Sequence, residues 1–223
     1  MTLSLQQETL LKRYAEAVVS APAHLHLTSD RDLKQFWSRH VEDAIQLHAQ
    51  IPSPYLKPSC RVLDVGSGNG VPGIPLAIME PFWNLDLLDS DNKKCGFIDM
   101  FCKKYAMSNV HVIAGRAEIF AKGALRECYD VVFSRAVGKL PVALELASAF
   151  VNMGGLLIVP HGTSWKTELH HSLAAIDILG IKLIRESPYE LDNIRYMALL
   201  FEKIAETPKL YPRSVGIPEK RPL

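Results

Sequence analysis

The chain has 223 residues, 48% of them hydrophobic, with 25 Lys and Arg against 24 Asp and Glu for a formal charge of +1. That length supports one substantial core plus an appendage. The near-neutral balance excludes a global basic field of the kind that drives non-specific nucleic-acid binding, so any such contact must come from local patches.

Residues 4–20 carry Leu10, Leu11, Tyr14, Ala15 and Val18 at helical spacing, with Ser4-x-x-Gln7 as a capping box. After a loop from Ala21 to Thr28, a second helix is predicted from about Asp30 to Gln50, opened by Ser29-x-x-Asp32. Within it Arg39 and Asp43 stand four apart and can pair on one face, with His40 between them. Pro52, Pro54 and Pro58 end this helical preface and place a boundary near residue 57. Beyond it, strands are predicted at 61–66, 84–89, 109–114, 129–134 and 154–160. Helices near 74–79, 92–106, 116–122, 139–150 and 165–178 alternate with them. This alternation specifies an α/β doubly wound domain, its sheet mostly parallel and covered on both faces. The apolar runs 181–184 and 196–201 have no helix between them and predict a terminal hairpin, bridged by 188–193, that adds an antiparallel strand. The expected division is 1–57 as a helical extension, 58–206 as the α/β domain and 207–223 as a basic, Pro-rich tail.

No run of about 18 apolar residues occurs, and Gln6, Gln7 and Glu8 do not fit a signal peptide. Cys60, Cys95, Cys102 and Cys128 form no C-x-x-C pair and read as reduced thiols. A soluble cytoplasmic protein with no membrane partner and no metal is expected.

The segment Asp64-Val65-Gly66-Ser67-Gly68-Asn69-Gly70 carries most of the chemistry. An apolar strand that ends in an acid and alternate glycines feeds a sharp, backbone-lined ligand loop. Gly68, Gly70 and Gly73 satisfy the dinucleotide pattern G-x-G-x-x-G, with Asp89 placed as a ribose-binding acid. Shifted one glycine earlier, Asp64-x-Gly66-x-Gly68 is the loop of S-adenosylmethionine (SAM) methyltransferases. Pro72 and Pro75 favour SAM, because they disturb the helix start that a pyrophosphate needs. Ligands of such sheets sit at the carboxyl ends of the strands. That places Asp89 at the ribose, Arg116-Ala117-Glu118 at an adenine edge and Ser134-Arg135-Ala136 over the transfer site. Arg135 could hold a methionine carboxylate, a nucleic-acid phosphate or a structural acid. Lys93, Lys94, Lys103, Lys104 and the tail supply the local basic patches.

Several pieces together resemble the RsmG (GidB) family of bacterial 16S ribosomal RNA guanine-N7 methyltransferases, over nearly the whole chain. They are Leu27-Thr28, Arg39-His40-x-x-Asp43, the acid-glycine loop with Pro72-Gly73-Ile74-Pro75-Leu76, Leu88-Asp89-Ser90 with Lys93, Arg116-Ala117-Glu118, Ser134-Arg135-Ala136 and Tyr211-Pro212-Arg213-x-x-Gly216-x-Pro218. The Pro-Gly-Ile-Pro run is the most specific. Departures are His26 before Leu27-Thr28 where the family has Asn, Ala44 where it has Ser, and His161-Gly162 where it has Lys-Gly.

The resemblance implies cofactor contacts at Gly66, Val71, Ala117, Glu118 and Arg135; the loop reading adds Asp64 and Gly68 and the strand-end reading Asp89, with Arg135, His40 and Asp43 as catalytic candidates. It implies RNA contacts from Lys93, Lys94, Tyr211, Arg213 and Lys220, with Arg213→Ala weakening RNA engagement while SAM affinity holds. The implied partner is 16S rRNA or the small ribosomal subunit, met by a monomer. Guanine N7 has a lone pair and no proton to remove, so the implied reaction is a direct in-line displacement without a covalent intermediate. A small-molecule methyltransferase and a non-catalytic rRNA-binding factor on the same fold are the alternatives.

Overall fold

The computed structural model describes residues 3–29 and 32–223. One sheet is built from β1 (Arg61–Val65), β2 (Asn84–Asp89), β3 (Val110–Ala114), β4 (Tyr129–Ser134), β5 (Val151–His161), β6 (Ile181–Leu191) and β7 (Ile194–Lys203). Their order is β3-β2-β1-β4-β5-β7-β6. Every pairing is parallel except those of β7, which runs antiparallel to both β5 and β6. Strand order reverses between β1 and β4, which puts the ligand crevice at the carboxyl ends of these two strands.

Alternate residues of each strand fall into different apolar clusters, as burial on both faces requires. Val62, Leu85, Leu87, Val131 and Phe133 face one cluster, while Leu63, Val65, Leu88, Val132 and Leu157 face the other. The first cluster also takes Leu11, Tyr14 and Val18 of α1 (Leu5–Val19), so the N-terminal helices share a core with the sheet. Gln7 Nε2 donates to the Ile78 and Met79 carbonyls at the end of α4 (Gly73–Met79). Tyr14 Oη donates to the Asn69 carbonyl at 2.8 Å, which ties α1 to the glycine loop. Among the described residues, no helix is long and apolar enough to cross a membrane.

The second predicted helix is divided. Asp32, not Ser29, caps it by accepting from the Gln35 amide, and its expected start at Asp30 lies outside the described residues. Leu33–Phe36 (α2) passes through a π-helical turn, Trp37–Val41, into Glu42–Ala49 (α3). Such turns insert a residue and re-aim the side chains around it, here Arg39 and His40. The helix expected over 165–178 breaks at buried Ser172, whose hydroxyl donates to the Glu168 carbonyl, giving Trp165–His171 (α8) and Leu173–Ile178 (α9).

The hairpin is far longer than its apolar runs. Only Asp192 and Asn193, both at positive φ, form the turn, as a two-residue hairpin connection requires. Pro188, expected in the connection, lies within β6, where an edge strand tolerates a missing N–H.

The tail folds inward. Arg213 is clamped on Glu145, with Nε on Oε1 at 2.9 Å, a terminal nitrogen on Oε2 at 2.6 Å and the backbone amide on Oε1. Glu145 belongs to Leu140–Ser148 (α7) and is 0% exposed. Tyr211 packs against the apolar cluster around α7. This internal pairing of Arg213 was not indicated by the sequence; it follows from a buried carboxylate's need for a cation. Arg213→Ala leaves that charge uncompensated and should destabilise the fold by about 3 kcal/mol in urea denaturation. Unchanged stability would show the pair to be dispensable.

Candidate active site

The loop after β1 turns through Gly66 (φ 74°), Gly68 (φ 56°) and Gly70 (φ 100°), conformations open mainly to glycine. A Cβ on Gly66 would stand 2.5 Å from Val137 Cγ2, so the loop can pass the segment after β4 only without a side chain there. Asp64 does not face the cleft as expected. It is 1% exposed and braces the loop from behind, Oδ2 accepting from the Gly73 amide at 3.0 Å. Gly73 allows that approach, since a Cβ would stand 2.3 Å from Leu87 Cδ2. Val71 is also buried.

The start of α4 separates the two cofactor readings. Gly73 donates its amide to Asp64, Ile74 donates to the Gly70 carbonyl at 2.7 Å, and Pro75 has no N–H. None of these first three positions offers a donor to a pyrophosphate, which a dinucleotide needs at that helix end.

Beside the loop lies a cleft of 110 Å³ whose lining includes Gly66, Asp89, Ala117, Glu118 and Glu219. Asp89 ends β2; its Oδ2 accepts from the Gly68 amide at 2.7 Å and its Oδ1 from the Asp91 amide at 2.8 Å. Each oxygen retains a further acceptor site, the requirement for gripping a pair of ribose hydroxyls. Glu118, in Ala117–Phe120 (α6), accepts both Arg116 donors and the Gly216 amide of the tail. Burial works to raise its carboxyl, but these donors outweigh it and hold the group below the ordinary glutamate range. Among the described residues, Ser67 Oγ in the loop after β1 and Ser134 Oγ at the end of β4 are buried without a partner. A ligand rich in hydroxyl and amino-acid groups, such as SAM, fits this arrangement of donors and acceptors.

A second cavity of 380 Å³ opens past the ends of β4 and β5 and shares Val137 with the cleft. Here the structure brings together Arg135, His40 and Asp43. Arg135 Nε meets Asp43 Oδ2 at 2.7 Å. A terminal nitrogen lies 3.1 Å from His40 Nδ1 and donates to the Arg39 carbonyl at 3.4 Å. A guanidinium only donates, so Nδ1 is the acceptor and the imidazole carries its proton on Nε2. Tyr189, absent from the sequence reading, donates its hydroxyl to Asp43 Oδ1 at 2.8 Å. His161 lines the same cavity, with Nε2 3.0 Å from Glu168 Oε2. Lys93 borders a third cleft of 510 Å³ with His24 and His26, whereas Lys220 is exposed at the end of Ile217–Lys220 (α10) and Lys94 is half-buried.

Sheet order, the acid-glycine loop and the acid that ends β2 together define a SAM-dependent methyltransferase. Solved structures share the fold: TrmN from Thermus thermophilus superposes with a TM-score of 0.63 at 17% identity, over 86% of this chain and 53% of TrmN, about half that protein. TYW2 from M. jannaschii, in complex with AdoMet, gives 0.58 at 16% identity over 74% and 76% of the two chains. The chain belongs to the GidB family, rRNA small subunit methyltransferase G, whose pattern matches residues 7–187. Proteins named ribosomal RNA small subunit methyltransferase G from Oenococcus oeni and Streptococcus pneumoniae R6 are 33% and 34% identical. Both alignments cover 100% of this chain, and 92% and 94% of the relatives.

Two predictions arise from the cleft. Asp89→Ala removes a cleft-lining carboxylate and a brace of Gly68, and should lower SAM affinity at least about tenfold in calorimetry, since charge-assisted bonds are the strong ones. Unchanged binding would remove Asp89 from the cofactor site. Burial pushes the Asp64 carboxyl from 3.8 up to about 7, against the Gly73 amide and Arg135, with Asp89 adding to the rise. The folded state thus holds a proton that the unfolded chain sheds, so this group favours folding at low pH and loses that effect as pH rises from 3.8 through about 7. Over that window the stability of Asp64→Asn should climb relative to wild type, and parallel curves would contradict the assignment.

Proposed function

We propose that this protein transfers the methyl of SAM to N7 of a guanine in 16S rRNA of the small ribosomal subunit. The observation that carries this reading is the Asp43–Arg135–His40 cluster, set at a cavity that adjoins the cofactor cleft through Val137. Family membership supports the rRNA substrate.

SAM, when bound, supplies an electrophilic methyl on a sulfonium centre. Asp89 is the ribose acceptor, and the backbone of Gly66 and Gly68 borders the rest of the cofactor. Ala117 and Glu118 close the adenine side. The bonds of Arg135 to Asp43 and His40 use Nε and one terminal nitrogen. A carboxylate or phosphate would be held by the other terminal nitrogen in this reading. Guanine N7 needs no general base, so these residues act by alignment and by fixed charge. Lys93, Lys94, Tyr211, Arg213 and Lys220 are the RNA contacts in this reading, with Arg213 also held by Glu145. The 1–57 segment forms the substrate side, 58–206 the catalytic domain and 207–223 a strap at the cofactor cleft. The protein works as a cytoplasmic monomer.

The test is transfer of labelled methyl from SAM to small subunits lacking the modification, with large subunits and free rRNA in parallel. Incorporation as 7-methylguanine, confined to small subunits or their rRNA, is expected. Absence of transfer despite SAM binding would overturn the reading and favour a small-molecule acceptor. Asp43→Asn, which releases the guanidinium from its fixed position, should slow transfer by up to about 100-fold. Its SAM affinity should change little.

A further inference from the structure

We propose that Tyr196 is the face on which the target purine stacks, with Tyr189 behind it as a fixed backing ring. This deepens the methyl-transfer reading and rests on it. Tyr189 and Tyr196 are cross-strand partners of β6 and β7, their rings stacked at 24° with centroids 5.6 Å apart. The two rings differ in exposure. Tyr189 is 7% exposed and anchored through its hydroxyl to Asp43, so it cannot swing away. Tyr196 is half-buried and lines the same cavity as Arg135 and His40.

The chemistry asks for such a surface. A guanine taken out of its stack loses base–base contact, and RNA-binding proteins replace it with aromatic side chains. Reaction at N7 also leaves that edge to the incoming methyl, so the holding force must come from the ring faces or the opposite edge. A stacked tyrosine pair beside a fixed guanidinium meets both conditions. The turn Asp192-Asn193 holds β6 and β7 in register, which fixes the platform relative to Arg135.

Tyr196→Leu keeps apolar bulk and removes the π face, whereas Tyr196→Phe keeps both. With undermethylated small subunits, Tyr196→Leu should raise KM about tenfold, with SAM affinity unchanged in calorimetry. Tyr196→Phe should match wild type. An unchanged KM in the Leu variant would overturn the platform. If Tyr196→Leu does not fold, Tyr196→Met fills the same space and gives the same comparison.

A second measurement separates this inference from the function it rests on. A single-stranded oligoribonucleotide carrying 2-aminopurine should be quenched by wild type and Tyr196→Phe, and not by Tyr196→Leu. Equal quenching by all three, or none by wild type, overturns the platform. Wild type inactive on subunits but still quenching the probe through Tyr196 would overturn the rRNA reading and leave the platform standing.

Discussion

The carboxylate of Asp43 joins three parts of the chain that are remote in sequence. Its two oxygens meet Arg135, just past β4, and Tyr189, on β6, while Asp43 itself sits on α3. At 3% exposure, such a group is tolerable only when charged or polar donors occupy both oxygens. Satisfying it draws the N-terminal helices, the sheet tip and the terminal hairpin to one point. The large cavity forms where they meet. The π-helical turn immediately before α3 brings His40 to the same guanidinium. One electrostatic requirement thus fixes both the packing of the extension and the position of the charged residues that line the large cavity.

The cofactor loop obeys a similar rule from the other side of the crevice. Asp64 reaches the Gly73 amide only because Gly73 has no side chain, and Gly66 clears Val137 for the same reason. Asp89 then holds Gly68 and Asp91 with one oxygen each. The acids at the ends of β1 and β2 shape the backbone first. Asp89 alone of the two lines the cleft, which explains why acids of similar appearance in the sequence play unlike parts.

Buried acids also decide the course of the tail. Glu145 takes the side chain and amide of Arg213, and Glu118 takes the amide of Gly216. Glu219 then lies 3.5 Å from Arg116 at the rim of the cleft. A segment whose composition reads as a basic arm gives Arg213 to an internal contact, while Lys209, Lys220 and Arg221 stay exposed.

Much of this architecture was legible from local signals. Alternating apolar runs specified the parallel strands, because strands buried on both faces must be apolar throughout. The acid-glycine-proline segment specified a ligand loop and argued against a pyrophosphate, because glycine and proline act on the backbone of their own neighbourhood. Tyr189 was not legible. Pro188 beside it reads as a connection, and only pairing with β7 makes the segment a strand. Nor was the pairing of Arg213, since its partner is a carboxylate 68 residues away. Backbone conformation responds to near neighbours, so strands, loop and cofactor class were written in the order of residues. The partners of buried charges are chosen by proximity in space, and Asp43, Arg135, Tyr189 and Arg213 acquired their roles only when the chain was folded.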